Sequence, residues 1–520
     1  MTTSRRTAIG LALCCASGVL YFLTFIDFSL YPLIWFCLVP VLCAVRDVTP
    51  RRALALGTLF GLITNAGGYY WVVHTIQTFG NMPFPVALLG YLLLSAYQGF
   101  LLAIVIALTR YGRQRLGIAP VWSLAVVFPA VELAYPLLFP SYIGNSQLEF
   151  TTITQFVDIT GMAGLTVLIG LVNGALYEMV ESRLEARQIE RWRVIAPAAA
   201  LAVCAAYGLV RIPQIDVITA QAPKLTIGLV QTNLGARDKA ANPEKFVLQH
   251  QEMSREIIAA HPEVDLIVWP ESAYNQVLPR SKKNLTFDVM RGIDRPLLFG
   301  ALTYNGMRDG YVVDLHNSLL LASADGNIMS RYDKIELLAF GETYPFSGSL
   351  PLLEHVFGSN WFKRGTSLQH LRLGDASFLP TICFEDLLPT LVRRLWREAG
   401  PANVLVNGTN DSWYGDTIEP MEHLALAAFR SIETRRALIR STNTGISAIV
   451  DPAGRIVQRT GQWKRETLIA DVPLIKDGST TIFLRIGNVV GWLCVALTII
   501  GVWFAWKTGQ QSNGEKRSTK

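Results

Sequence analysis

Histidine is scarce in this chain of 520 residues, with seven in all. His250, His261, His316, His355, His370 and His423 are scattered, and none sits in an obvious pairing motif for nucleophilic catalysis. No CxxC, HExxH, Walker or GxGxxG pattern occurs in a fitting context, so the sequence calls for no metal, nucleotide or other cofactor. Charged residues are also thin, at 17%. The net charge of +6 reflects Lys and Arg clustered beside long apolar runs, which argues against a nucleic-acid footprint and for no nucleic-acid partner. Cysteine is sparse where it would matter. Cys14, Cys15, Cys37, Cys43, Cys204 and Cys494 lie in long apolar segments, and Cys383 alone sits in a soluble-looking stretch.

What the chain does have is apolar length. Hydrophobic residues make up 51% and the mean hydropathy is +0.32, too apolar for an ordinary soluble protein. Runs of about 18 or more apolar residues are long enough to cross a hydrocarbon core as helix. They fall near 9–26, 29–45, 53–73, 84–108, 118–139, 156–177, 194–211 and 487–506. The first follows Arg5 and Arg6 but runs on to Ile26 without a small-x-small cleavage site, which predicts a retained helix rather than a signal peptide. The expected organisation is a membrane domain of seven spans over 1–212, a globular domain over 213–480, an eighth span over 481–508, and a polar tail over 509–520.

Lys and Arg are missing from the connections 27–28, 74–83 and 140–155. They cluster in the alternate ones, at Arg46, Arg51 and Arg52, at Arg110, Arg113 and Arg115, and at Arg183, Arg187, Arg191 and Arg193, and again in the C-terminal tail. Eight spans with both termini cytoplasmic put every basic cluster on one side, and the globular domain on the outer face of the cytoplasmic membrane. That compartment is oxidising, yet Cys383 has no partner there. A packed thiol and a nucleophile both fit this fact.

Between Lys224 and Val472, β-branched runs alternate with amphipathic stretches. Strands are expected in 224–233, 264–272, 295–304, 317–334, 376–384, 402–411 and 440–460, with hairpin turns at Asp325-Gly326 and Pro452-Ala453-Gly454. Helices are expected over 243–260, 386–399 and 420–438, giving an α/β layered domain. In such domains chemistry collects where strands end. Three strands here end in a reactive type of residue: Glu271, Lys334 and Cys383. A buried carboxylate can deprotonate a thiol, and a fixed lysine can stabilise the oxyanion formed on an attacked carbonyl. The helix after Cys383 is expected to lower the thiol pKa through its dipole. Each residue also has a bland reading: Glu271 as a loop residue, Lys334 as a solvent-facing one, and Glu385 and Asp386 as caps of the following helix.

Together, WPES (269–272), YDK (332–334) followed by FGE (340–342), ICFED (382–386) and NDSWYG (410–415) resemble the Glu-Lys-Cys motifs of the nitrilase, or carbon–nitrogen hydrolase, superfamily. With seven spans before and one after, the whole chain resembles the bacterial apolipoprotein N-acyltransferase family. The resemblance implies an α-β-β-α sandwich beside an eight-helix bundle. It implies Glu271 as general base, Lys334 as oxyanion partner and Cys383 as the acylated nucleophile. Glu342 and Glu385 match supporting acidic positions, Phe384 follows the nucleophile, and Asn317 and Arg440 match polar positions that hold the hairpin and active-site loops. The implied partners are a membrane phospholipid as acyl donor, a diacylglyceryl apolipoprotein as acceptor, and the lipid bilayer of the bacterial inner membrane.

Two departures stand out. IELLA (335–339) replaces the family's usual His and Pro before FGE, and no Trp occurs between Trp192 and Trp269, where one is expected in a loop that meets lipid. Two other readings stay open: a membrane-tethered amidase or nitrilase acting on a small substrate, and a transporter or receptor whose outer domain only binds. For the latter, Glu132 and Asp158 are the main ionisable residues within spans.

Overall fold

The computed structural model describes residues 3–235, 243–308, 310–339, 341–343 and 362–518. The chain divides into two compact units, Met1–Pro213 with Arg485–Lys520, and Gln214–Leu484.

The first unit is helical. Among the described residues, six helices are long and apolar enough to cross a membrane: Arg5–Ile26, Phe28–Val45, Phe84–Leu116, Met162–Leu184, Trp192–Gln221 and Val489–Gln510. Six rather than all eight expected spans therefore take that form. The segment expected at 53–73 is a helix over Pro50–Gly68 and a second short one over Val72–Thr78. The segment expected at 118–139 is helical only over Pro120–Ala134, and Pro136 follows. The expected 156–177 span begins late, because Gly161 at φ +65° ends the short helix Val157–Thr160 and starts Met162–Leu184. The last helix runs on to Ser518, through the stretch expected as a polar tail.

Small residues let these helices cross closely. A Cβ on Gly61 would lie 2.0 Å from the Gly99 carbonyl oxygen, so Pro50–Gly68 and Phe84–Leu116 touch backbone to backbone. Charge ties their basic ends. Glu181 takes a two-pronged contact from Arg113 at 2.7 and 2.9 Å and a third from Arg187 at 2.7 Å, while Arg193 meets Glu178 at 3.0 Å. Glu132 and Asp158 are buried and bonded. Glu132 accepts from Ile143 N and Thr166 Oγ1, and Asp158 from Tyr207 Oη and Arg211 Nε.

The second unit is built on two sheets. One has the order β13-β1-β2-β4-β5-β6 with β3 on β4; the other has β12-β11-β10-β9-β8-β7. The first sheet's strands are β1 Lys224–Gln231, β2 Leu266–Val268, β3 Tyr274–Pro279, β4 Leu297–Arg308, β5 Tyr311–Ala322, β6 Ile328–Asp333 and β13 Glu466–Pro473. The second sheet holds β7 Leu371–Leu373, β8 Ala376–Ile382, β9 Val404–Thr409, β10 Leu438–Thr442, β11 Ala448–Val450 and β12 Ile456–Arg459. Parallel pairs β1–β2, β2–β4, β8–β9 and β9–β10 form the centre of each sheet, and both expected hairpins form, as β5–β6 and β11–β12. Central strands read as continuous apolar runs because both faces are covered; β8 is buried at every position.

The sheets face one another. Gln231 of β1 accepts from Thr442 and Ser447 across the gap, and Leu319 of β5 lies against Gly408 of β9. Helix Pro243–Ala260 covers the first sheet, and its Ser254 Oγ accepts from Trp269 Nε1 at 2.8 Å over a core that includes Met253, Ile257, Ile267 and Phe299. Helices Pro389–Ala399 and Glu419–Thr434 pack on the second sheet. The outcome is α-β-β-α layering. β3, β7 and β13 have no counterpart among the expected strands, since each is short or half exposed and lacks a clean apolar run.

Candidate active site

The site begins with three strand ends. β2 carries the chain through Trp269-Pro270 to Glu271, and Ser272 at φ +52° turns it away. This turn presses on β4: a Cβ at Gly300 would lie 2.4 Å from Ser272 N and 2.6 Å from Glu271 Cα, so only glycine fits there. β6 ends one residue before Lys334, whose N–H donates to Asn317 O on β5 at 2.8 Å. β8 ends at Ile382, and Cys383 opens the one-turn 3-10 segment Cys383–Leu387 with φ +54°, a left-handed conformation unusual for a residue with a side chain.

These ends meet. Lys334, 2% exposed, has Nζ 2.8 Å from Glu342 Oε2 and 3.8 Å from Glu271 Oε1. Asn317 Nδ2 bridges the two carboxylates, donating to Glu271 Oε1 at 2.6 Å and to Glu342 Oε1 at 3.0 Å. Glu342 is pinned in turn by Leu338 N at 2.9 Å. The stretch 335–339, which lacks the expected His and Pro, therefore still anchors the second carboxylate through its backbone. Lys334 Nζ also sits 5.4 Å from the centre of the Phe384 ring. Glu271 and Lys334 are thus buried members of a cluster rather than solvent-facing residues.

Electrostatics set the resting protonation. Burial opposes charge on Lys334, but Glu342, Glu271 and Cys383 outweigh it and hold the ammonium above its usual range. Burial and then Glu271 push the Cys383 thiol up, and Lys334 with a hydrogen bond from Thr409 only partly counters them. Burial therefore outweighs the lowering expected from a following helix. Helix Pro389–Ala399 starts six residues beyond Cys383, after the intervening 3-10 segment. Burial thus favours the thiol form of the sulfur, beside a buried ammonium and carboxylate.

Glu385 and Asp386 do not cap that helix, whose N-cap is Leu388 without a side-chain bond. Glu385 is fully buried. Its Oε1 accepts from Ile335 N and Glu336 N at 2.7 and 2.9 Å, and its Oε2 from Ile382 N and Tyr332 Oη at 2.8 and 3.0 Å. One carboxylate therefore ties the backbone after Lys334 to the backbone before Cys383. Burial pushes its carboxyl up to about 7, against Lys334 and those N–H groups.

Arg440, with no exposed surface, lies in a network behind Cys383. Its Nη1 donates to Asp386 Oδ2 at 2.7 Å and Asn407 Oδ1 at 3.2 Å, and its Nη2 to Asp411 Oδ2 at 3.2 Å. Asn407 Nδ2 donates to Cys383 O at 3.0 Å. His423 fills the same network between Asp386 and Asp411, at 3.0 and 3.1 Å. Burial and Arg440 oppose its charge, yet the two aspartates push it up to about 10. Asp411, Glu419 and His423 each bring one possible metal-ligand atom within 4.8 Å of the others. Both His423 nitrogens and both Asp411 oxygens already have protein partners. Sequence reading passed over His423, Asn407 and Thr409; the faint signal was the Glu419–His423 spacing of four on a helix that follows NDSWYG. The expected loop tryptophan concerns residues that fall largely within 236–242, outside the described residues, as is Phe340 of FGE.

Two family models match the chain: the apolipoprotein N-acyltransferase N-terminal domain over residues 17–175, and carbon–nitrogen hydrolase over 226–478. The apolipoprotein N-acyltransferase of Geobacter metallireducens is 33% identical over 495 residues, covering 92% of each chain. That of Bdellovibrio bacteriovorus is 28% identical over 513 residues, covering 93% of this chain and 91% of its own. Among solved structures, a Helicobacter pylori carbon–nitrogen hydrolase is 15% identical with a TM-score of 0.36, covering 48% of this chain and 89% of its own. An amidase from Nesterenkonia aligns with 14% identity and a TM-score of 0.34, over 49% of this chain and 94% of that one. Similarity that runs nearly end to end, with one matched model on the helical unit and the other on the layered one, means that this chain belongs to the apolipoprotein N-acyltransferase family, acyltransferases of the carbon–nitrogen hydrolase superfamily.

Proposed function

We propose that the chain moves an acyl group from a membrane phospholipid to the α-amine of a diacylglyceryl-cysteine at the N-terminus of a lipoprotein, through a thioester on Cys383. The observation that carries this reading is the buried ammonium of Lys334, fixed between Glu271 and Glu342 and acting on the Cys383 thiol. Glu271 takes the thiol proton as the sulfur attacks the phospholipid ester carbonyl. Lys334 stabilises the oxyanion of the tetrahedral intermediate. The C–O bond then breaks, and the proton held by Glu271 passes to the leaving lysophospholipid. In the second half the lipoprotein amine attacks the thioester, Glu271 accepts its proton, the C–S bond breaks, and the proton returns to Cys383. Glu342 and Asn317 hold Lys334 and Glu271 in place, Phe384 packs on the ammonium, and Glu385 and Arg440 hold the backbone around the nucleophile.

In this reading the helices span a bacterial inner membrane eight times. Pro50–Gly68 and Pro120–Ala134 complete the six longer ones, both termini are cytoplasmic, and residues 213–480 lie on the periplasmic side. Both substrates are confined to the bilayer and arrive by lateral diffusion. The test is mass spectrometry of purified protein after incubation with phospholipid and no acceptor. The expected result is one acyl adduct on the Cys383 peptide, lost in Cys383→Ala and released by a diacylglyceryl-cysteine peptide. An adduct that persists in Cys383→Ala overturns the assignment.

A further inference from the structure

His423 sits in the second turn of helix Glu419–Thr434 and is 3% exposed. Its Nε2 lies 3.0 Å from Asp386 Oδ1 and its Nδ1 3.1 Å from Asp411 Oδ1. An ionised carboxylate only accepts hydrogen bonds, so a ring that meets a carboxylate at each nitrogen donates from both and is an imidazolium. We propose that His423 is a positioning residue for the nucleophile: a fixed cation that ties the turn after Cys383 to the turn after β9 and balances the carboxylates around the thiol. The proposal rests on Cys383 as nucleophile, as read above.

The two aspartates belong to the two pieces of backbone that hold the sulfur. Asp386 lies in the turn that Cys383 opens in a left-handed conformation, which persists only where the surroundings impose it. Asp411 follows Thr409 by two residues, and the Thr409 hydroxyl, which donates to Asp411 Oδ1 at 3.4 Å, also acts on the thiol. Arg440 grips the same two aspartates from the other side. The charges balance as two cations, Arg440 and His423, against two anions, Asp386 and Asp411. Glu419, with Oε1 3.9 Å from His423 Nδ1, has its carboxyl held well above the usual range by burial and by Asp411 and is left out of this balance. Facing the thiol itself are Glu271, Lys334 and Asp411, with Arg440 and the Tyr414 hydroxyl also in electrostatic reach. A neutral residue at 423 leaves one negative charge in excess beside the sulfur, and that disfavours the thiolate.

The experiment is alkylation of the full-length protein in detergent by iodoacetamide across pH 6 to 10, read by mass spectrometry on the Cys383 peptide. In His423→Gln the alkylation curve should move about one pH unit to the alkaline side, which is roughly a tenfold slower rate at a fixed pH below the midpoint. Adding Asp411→Asn to His423→Gln removes the unbalanced charge and should bring the curve back. Asp411→Asn alone, which does not depend on how the histidine variant folds, should move it to the acid side. A His423→Gln curve that superposes on wild type, or a double variant that stays where the single one lies, overturns the proposal and leaves His423 a packing residue. This readout needs no acyl donor. A shifted curve without any acyl adduct would sink the thioester reading and keep this one, and an adduct with an unshifted curve the reverse.

Discussion

Glu385 accepts three backbone N–H groups and a tyrosine hydroxyl while fully buried, so its removal leaves those donors without their acceptor. Each buried donor left unmet costs about 1–3 kcal/mol. Glu385→Ala should therefore destabilise the layered unit by about 3 kcal/mol or more, seen as a lower thermal midpoint in detergent. Glu385→Gln keeps one oxygen acceptor and should lose roughly half as much. A Glu385→Ala protein as stable as wild type would show that the contacts are incidental. This residue also illustrates what was legible at this scale. The motif pointed to an acidic residue after Cys383, but three of its four partners come from 335, 336 and 332, some fifty positions away in the chain. Periodicity carries no trace of such pairing, and the local reading of Glu385 as a helix cap failed for that reason. His423 was missed for the same cause: its two carboxylates come from two different loops.

At the scale of elements, the candidate site residues were legible because they sit at strand ends: Glu271 and Cys383 follow the wholly buried β2 and β8, and Lys334 follows the return strand of a hairpin. Both hairpins were legible through their turn residues. What was not legible is how closely the elements approach. β4 passes the Glu271 turn so tightly that any Cβ at position 300 meets backbone atoms, which cannot rotate aside. Gly300→Ala should push Glu271 away from Asn317 and Lys334. The expected outcome is a folded protein, destabilised by about 1–3 kcal/mol as for other overpacked sites, with the acyl adduct on Cys383 formed at least about tenfold more slowly, equivalent to about 1.4 kcal/mol in the barrier. An adduct rate equal to wild type would mean the β2 turn adjusts without moving the carboxylate.

For the whole molecule, the arrangement of spans is the property to test. The eight-span reading places the loop at 74–83 outside and the loop at 185–191 inside the cell. Asn81→Cys and Gln188→Cys substitute exposed residues in those two loops. A membrane-impermeant maleimide applied to intact spheroplasts should label the first and not the second, and both should react after lysis. Labelling of Gln188→Cys in intact spheroplasts would invert or break the proposed topology. The ion network of the half-buried Arg113, Arg187 and Arg193 with the buried Glu178 and Glu181 gives those basic clusters a second role, since the arginines also join helix ends.

By itself the sequence determined the division into an apolar helical part and an α/β part, the strand ends that carry Glu271, Lys334 and Cys383, and the family, because each rests on local order along the chain: run length, turn residues and short motifs. Tertiary structure alone decided the rest. It shortened or broke helices expected to be continuous, with Gly161 in a left-handed conformation between two helices and Tyr135 extended before Pro136. It buried the Cys383 thiol, which pushes its pKa up, since burial is a property of surroundings and not of the residues beside it. It also assembled the Asp386–His423–Asp411–Arg440 network, whose members are up to 54 positions apart, where only folding brings opposite charges into one dry space.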